Sequence, residues 1–175
     1  MCLYTATKKK SRGQKLLKTA VHIFYENEGI NVKTNQLSDK KEYEDFISLN
    51  ADLVVVIAYG QIIPDIYLNN PNLIFLNVHA SLLPKWRGAA PIERALLNKE
   101  NETGISIMKI IKKLDAGPFI KQVKVKIHKE TTSGELTKKL SVIGAEALKE
   151  SIELITSGKS IFIDQNEKKA TYAKK

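Results

Sequence analysis

The sequence predicts an α/β fold whose sheet is mainly parallel and flanked by helices. Two observations carry this. Residues 52–58 (DLVVVIA) and 73–78 (LIFLNV) are continuous β-branched runs, as expected of strands buried on both faces in a parallel sheet. Along the rest of the first half, helical and extended periodicities alternate, the pattern of β-α-β units. The chain has 175 residues, enough for one globular unit with a short appendage. With 43% hydrophobic and 27% charged residues it has the composition of a folded chain rather than a disordered or fibrous one.

The elements follow in order. Residues 19–28 show helical spacing through Val21, Phe24 and Tyr25 and stop at Gly29; residues 30–34 (INVKT) then read as a short strand. Residues 41–49 form a second helix with an apolar stripe of Tyr43, Phe46, Ile47 and Leu49. Between the two β-branched runs, Pro64 opens a short helix that residues 69–71 end, which makes a strand, crossover, strand unit. Residues 104–111 are a strand. Residues 119–128 are another, alternating Val123, Val125 and Ile127 with Lys124, Lys126 and His128, so that one face is buried and the other wet. The longest helix runs from about Thr132 to Ser157. Thr132 and Glu135 have capping-box spacing and Gly158 is the stop; Leu136, Leu140, Ile143, Leu148, Ile152 and Ile155 supply its apolar face. Residues 161–175 read as too polar for a core and too short for a domain, in the manner of a linker.

Charge is unevenly placed. The 28 Lys+Arg against 19 Asp+Glu leave a net +9. Lys8, Lys9, Lys10, Arg12, Lys15 and Lys18 stand without an acid in residues 1–20, and four lysines face only Glu167 in residues 166–175. The stretch between is neutral, so an anionic partner such as nucleic acid is expected at the ends. A basic tail that is simply solvated would look the same. The single Cys2 excludes a disulfide framework and a thiolate metal site, and fits a reducing, cytoplasmic setting. No apolar run approaches the roughly 20 residues that span a bilayer. Phosphate-loop and nucleophile-elbow motifs are absent, and the three histidines are too scattered to suggest a metal site. His22 and His128 read as ordinary helix and strand residues.

His79 stands apart because of its neighbours. Residues two apart in a strand share a face, so Asn77 and His79 project together from the carboxyl end of the 73–78 strand, where open parallel sheets bind ligands. An amide beside an imidazole suits an oxygen that gains negative charge; a polar strand end satisfied by its own loop is the alternative. Asp115, in the turn LDAGP, could orient the imidazole or relay a proton, or belong to a turn and nothing more. Residues 80–91 (ASLLPKWRGAAP) combine two prolines, a glycine and the only tryptophan, which suits either a ligand wall or a packed surface loop.

Residues 77–120, from NVHASLLPKWRGAAPIERALL through LDAGPFI, closely resemble the folate-dependent formyltransferase family, with weaker similarity over nearly the whole chain. The Asn-x-His pair, SLLP and the later Asp-x-Gly are shared by that family; KWRGAAPI and VVVIAYGQIIP resemble its methionyl-tRNA branch. The resemblance implies a Rossmann-like domain that transfers the formyl group of 10-formyltetrahydrofolate to the α-amino group of methionyl-initiator-tRNA, without a metal, as a cytoplasmic monomer with no membrane partner. It implies catalytic roles for Asn77, His79 and Asp115. Ser81, Leu82, Leu83 and Pro84 match the folate segment, with backbone at Ala58, Tyr59 and Gly60 beside the pterin. Lys8, Lys9, Lys10, Arg12 and Lys15 fall in a loop that resembles a tRNA clamp. By the same resemblance residues 1–160 are a catalytic domain lacking its first strand and helix, and residues 161–175 lead to an absent β-barrel domain. A formyltransferase of small amines, such as a ribonucleotide or amino sugar, and an inactive tRNA-binding fragment are the alternatives.

Overall fold

The computed structural model describes residues 1–5, 9–10 and 16–174. These form two compact units, Met1–Asp52 with Tyr59–Leu73, and Leu53–Ala58 with Ile74–Lys175.

In the first unit β1 (Cys2–Tyr4) pairs in parallel with β4 (Asn31–Lys33), and β2 (Lys9–Lys10) pairs antiparallel with β3 (Leu16–Leu17). Helix α1 (Ala20–Asn27) starts where Thr19 Oγ1 accepts the His22 N–H, and α2 (Lys40–Ile47) where Asp39 accepts the Lys41 N–H. With α3 (Asp65–Leu68), α2 builds an aromatic core: the rings of Tyr43 and Phe46 each meet Tyr67 edge-on at 5.0 Å. Glu42 is buried at 2% exposure, a costly place for a carboxylate. Burial alone would raise its pKa, but hydrogen bonds from Lys33 (2.8 Å), Tyr4 (2.6 Å) and Asn35 outweigh that and hold it below the usual range.

The second unit holds a four-stranded sheet in the order β5 (Leu53–Val56), β6 (Ile74–His79), β8 (Glu102–Lys109), β9 (Phe119–Lys126). The α/β class stands, and β5 and β6 are parallel as expected; β8 and β9 join antiparallel, so this sheet is mixed. Full burial of β5 does not hold. It is the edge strand of this sheet, and Val55 is 38% exposed. Helix α5 (Ser133–Thr156) has the expected capping box, with Thr132 N–H donating to Glu135 and Glu135 N–H to Thr132 Oγ1. Its buried stripe differs from the expected one: Leu136 and Leu140 continue into Gly144, Ala147 and Ser151, while Ile143, Leu148 and Ile155 flank it partly buried. Small residues win because the helix lies close to the sheet; a Cβ at Gly144 would sit 3.0 Å from Val78 Cγ1.

Two short pieces in the loop after β6 went unread in the sequence: β7 (Arg87–Gly88) and α4 (Pro91–Leu97), the latter with Pro91 in its first turn. The C-terminal stretch corrects the expectation of a segment too polar to join a core. β10 (Tyr172–Ala173) pairs in parallel with β7, Ala173 is buried, and Gly88 (φ 114) is required because a Cβ there would lie 2.9 Å from the Ala173 carbonyl. Polar residues are what attach it. Arg87, at 0% exposure, donates to Gln165 Oε1 (3.0 and 2.8 Å) and to both carboxylate oxygens of Glu167 (2.9 and 3.2 Å). Among the described residues no helix is long and apolar enough to cross a membrane.

Two outcomes are expected. Glu42→Ala leaves three donors without their acceptor and should cost about 3 to 5 kcal/mol in urea denaturation. Hydrogen bonds from Arg87, then Lys113, bring the Glu167 carboxyl from 4.5 down to about 2. A depressed folded pKa means that its contribution is complete above pH 4.5 and disappears as the pH falls toward 2. Over that window the emission of Trp86, the single tryptophan, should report release of the C-terminal segment, and Glu167→Gln should remove the transition.

Candidate active site

Alternation along β6 divides its side chains cleanly. Leu76 and Val78 face the core under α5, while Asn77 and His79 share the opposite face at the strand's carboxyl end. Asn77 is paired in register with Val56 on one side and Met108 on the other, so its backbone is fixed by two neighbours. Among the described residues its carboxamide makes no hydrogen bond, which leaves two N–H donors for a ligand.

His79 is buried at 5% exposure, with one ring nitrogen hydrogen-bonded and the other facing a carboxylate. Nε2 lies 3.0 Å from the Trp86 carbonyl oxygen, and a carbonyl can only accept, so Nε2 carries a proton in this contact. Nδ1 faces Asp115 Oδ2 at 3.8 Å, longer than a hydrogen bond. The same Oδ2 accepts the Gly88 N–H at 2.8 Å. The 36-residue gap in sequence between His79 and Asp115 is closed by the β8–β9 turn.

The two residues that face the ring nitrogens of His79 have unusual backbones. Trp86 has φ 59 and Asp115 φ 45, in the left-handed region that costs a bulky side chain of order 1–3 kcal/mol. Each is pinned from the C-terminal segment. Thr171 Oγ1 accepts the Trp86 N–H (2.9 Å) and the Thr171 carbonyl accepts that of Arg87 (2.9 Å). Gln165 Nε2 donates to the Asp115 carbonyl (2.9 Å) and to that of Gly117 (2.7 Å).

The SLLP segment turns out to be braced rather than open. Ser106 Oγ donates to the Ser81 carbonyl (2.7 Å) and accepts the Leu83 N–H (3.1 Å); Gln122 Nε2 donates to the Leu83 carbonyl (2.8 Å). Ser81 Oγ donates to the Lys85 carbonyl. Ser81 and Leu83 are therefore buried supports, and Leu82 and Pro84 keep partial exposure for a ligand. Gly104 makes room for the segment, since a Cβ there would come 2.6 Å from Leu82 Cδ2 and 2.1 Å from the Val123 carbonyl.

Of the other expected site residues, Ala58 ends its strand region exposed with φ 48, and Tyr59 and Gly60 (φ 71) fall in the first unit. Lys9 and Lys10 form β2; Lys8, Arg12 and Lys15 lie outside the described residues. Sequence reasoning missed Ser106, Gln122 and Gln165. Ser106 carried a signal, a polar residue between Ile105 and Ile107 in an apolar strand, where a buried hydroxyl needs partners. Among the described residues no group of three or more metal-ligating side chains comes together.

Known proteins resemble this arrangement. Methionyl-tRNA formyltransferase of Pelagibacter ubique is 47% identical over 99% of this chain and 57% of its own length, and that of Dictyoglomus thermophilum 46% identical over 96% and 54%. The chain thus spans about half the length of these curated relatives. Among solved structures, the formyltransferase PseJ from Anoxybacillus kamchatkensis, in complex with a UDP-linked formamido sugar and tetrahydrofolate, matches with a TM-score of 0.68 and 26% identity, over 98% of this chain and 84% of that one. A Formyl transferase family profile runs over residues 1–152, taking in β6, the braced loop and the Asp115 turn, and on that match the chain belongs to the formyl transferase family.

Proposed function

We propose that this chain is the catalytic part of a methionyl-tRNA formyltransferase, which moves a formyl group from 10-formyltetrahydrofolate to the α-amino group of methionyl-initiator-tRNA in the cytoplasm. The observation that carries the chemistry is an unengaged Asn77 carboxamide on the same strand face as His79, with Asp115 at 3.8 Å from the imidazole. The choice of substrate rests on the curated relatives, both named methionyl-tRNA formyltransferase.

When bound, 10-formyltetrahydrofolate supplies an electrophilic formyl carbon for an amine to attack. The chain's own residues then have separate tasks. Asn77 donates a hydrogen bond to the oxygen that becomes negative as the carbonyl is attacked. His79 is steadied through Nε2 by the Trp86 carbonyl and faces Asp115 with Nδ1. Asp115 accepts the proton that the amine nitrogen loses and returns it to the departing nitrogen, so that no net proton is left on the chain. Leu82 and Pro84 supply the partly exposed wall where the donor is expected, with Ala58 as a further backbone contact in the same unit. The residues present fit such a donor because Asn77 has free donors and the loop beside it is rigid.

The basic residues Lys8, Lys9, Lys10, Arg12 and Lys15 are assigned to tRNA phosphates, whose binding releases counterions.

Incubation with charged initiator tRNA and the formyl donor should give formylmethionyl-tRNA. Asn77→Ala should lower the rate on the order of 10²-fold and Asp115→Ala by roughly 10² to 10⁴-fold. Equal transfer by all three proteins, or transfer to an amino sugar in place of tRNA, would sink the reading. Affinity for tRNA should fall steeply with salt, and each lysine changed to alanine at 8–10 should reduce the logarithmic salt slope by about 1 where it meets a phosphate. A slope that stays the same in the triple variant would remove these residues from the interface.

A further inference from the structure

Gln165 sits in the stretch that the sequence marks as a linker, yet it is 9% exposed and every hydrogen-bonding position of its carboxamide is used. Oε1 accepts from Arg87 Nε and Nη2; Nε2 donates to the carbonyls of Asp115 and Gly117. The orientation has one solution, because a guanidinium only donates and a carbonyl only accepts, so a flipped amide would lose all four bonds. A side chain needed merely to tie the segment down would not have to bridge a buried cation to the turn that carries a carboxylate.

From this bridge we infer that Gln165 is a positioning residue for Asp115, and that the C-terminal segment is a working part of the active site. The inference rests on the reading of Asp115 as a member of the transfer site. Asp115 is in the left-handed region at φ 45, a conformation that persists only when surrounding contacts over-determine it. Two contacts do so: the Gly88 N–H on its carboxylate and Gln165 on its carbonyl. Gly117 follows closely on the same strand approach, with no room for a Cβ beside the Lys109 carbonyl. Across the site the second neighbour of His79, Trp86, is clipped by Thr171 from the same segment. Both groups that set the imidazole are thus held in strained backbone by residues 165 and 171. Loss of the Gln165 donors frees the Asp115 turn to relax, which alters the 3.8 Å separation from Nδ1 and the path of the proton. A displacement of about 1 Å at such a group can cost on the order of 10²-fold in rate.

Gln165→Glu keeps an acceptor for Arg87 and puts an oxygen that can only accept in place of the donor to the turn, so the Asp115 and Gly117 carbonyls lose their bonds. Arg94→Ala is the control. Arg94 holds the end of the same segment through the Lys174 carbonyl (2.9 and 2.7 Å) and touches neither His79 nor Asp115. Single-turnover transfer and the ¹⁵N resonances of His79 are measured for the unmodified chain, both variants and Asp115→Asn. Expected for Gln165→Glu are a kcat on the order of 10²-fold lower with KM for the donor unchanged, and His79 resonances displaced in the same direction as in Asp115→Asn. Arg94→Ala should lower Tm while leaving kcat and the His79 resonances in place. Unmoved His79 resonances in Gln165→Glu overturn the inference, as does a loss of rate and a displacement in Arg94→Ala equal to those of Gln165→Glu, since attachment alone would then suffice. If Gln165→Glu does not fold, Gln165→Met, of similar length and without hydrogen bonds, is read by the same two criteria. Absence of transfer by the unmodified chain defeats the functional reading and leaves the resonance comparison to decide the positioning role.

Discussion

The buried guanidinium of Arg87 is the constraint on which the second unit depends. Taking a cation out of water costs several kcal/mol unless its donors are satisfied, and here bonds to Gln165 and Glu167 occupy four of the five guanidinium N–H groups. Only arginine suits this place: one edge of its planar fork meets an amide oxygen and the other a carboxylate, whereas an ammonium would present a single point. Because the acceptors lie about 80 residues downstream, the loop after β6 cannot reach its final form until the C-terminal segment has docked. β7 then gains its partner β10, and Gly88 its reason to lack a side chain.

This dependence explains which parts of the molecule were legible beforehand. Periodicity reports local geometry and the side of a strand, so Asn77 and His79 could be placed together from spacing alone. The Thr132–Glu135 box is likewise a local device and was readable to the residue. The buried stripe of α5 departs from its large aliphatic residues because close approach to Val78 and Ile105 selects Gly144, and the buried line continues through Ala147 and Ser151. Edge position, which leaves Val55 exposed, depends on the order of strands and has no local signature. Gln165 was opaque for the same reason. A polar residue in a polar tail carries no mark of three partners that are distant in sequence.

Charge shows a similar split between local and distant effects. Over the body of the second unit, opposite charges meet on the surface, as in Lys124 with Glu102, Lys85 with Glu100, and Lys121 with Glu150. Exposed pairs of this kind contribute roughly 0 to 1 kcal/mol. Glu167 is different, since one of its partners is a cation fully out of water. The same type of pair therefore acts as neutralising surface in one place and as a fastening in the other, and burial of one partner decides which.

Two supports hold the candidate site, and they differ in kind. Beneath the SLLP segment, Ser106 and Gln122 project from adjacent antiparallel strands in fixed register, so this brace is as stable as the sheet. The Asp115 turn instead relies on a docked C-terminal segment, through the Gln165 amide, while the Thr171 hydroxyl of the same segment holds Trp86. Strain is confined to the second support, where Trp86 and Asp115 occupy left-handed backbone. A rigid wall suits residues whose task is shape. A strained turn held by long-range bonds suits a carboxylate that must stand close to an imidazole without closing into a hydrogen bond with it, because the turn's own preference would place it elsewhere. The 3.8 Å separation between His79 and Asp115 is thus set by long-range bonds, from Gly88 on the carboxylate and from the docked segment on the carbonyl, and not by the local chain.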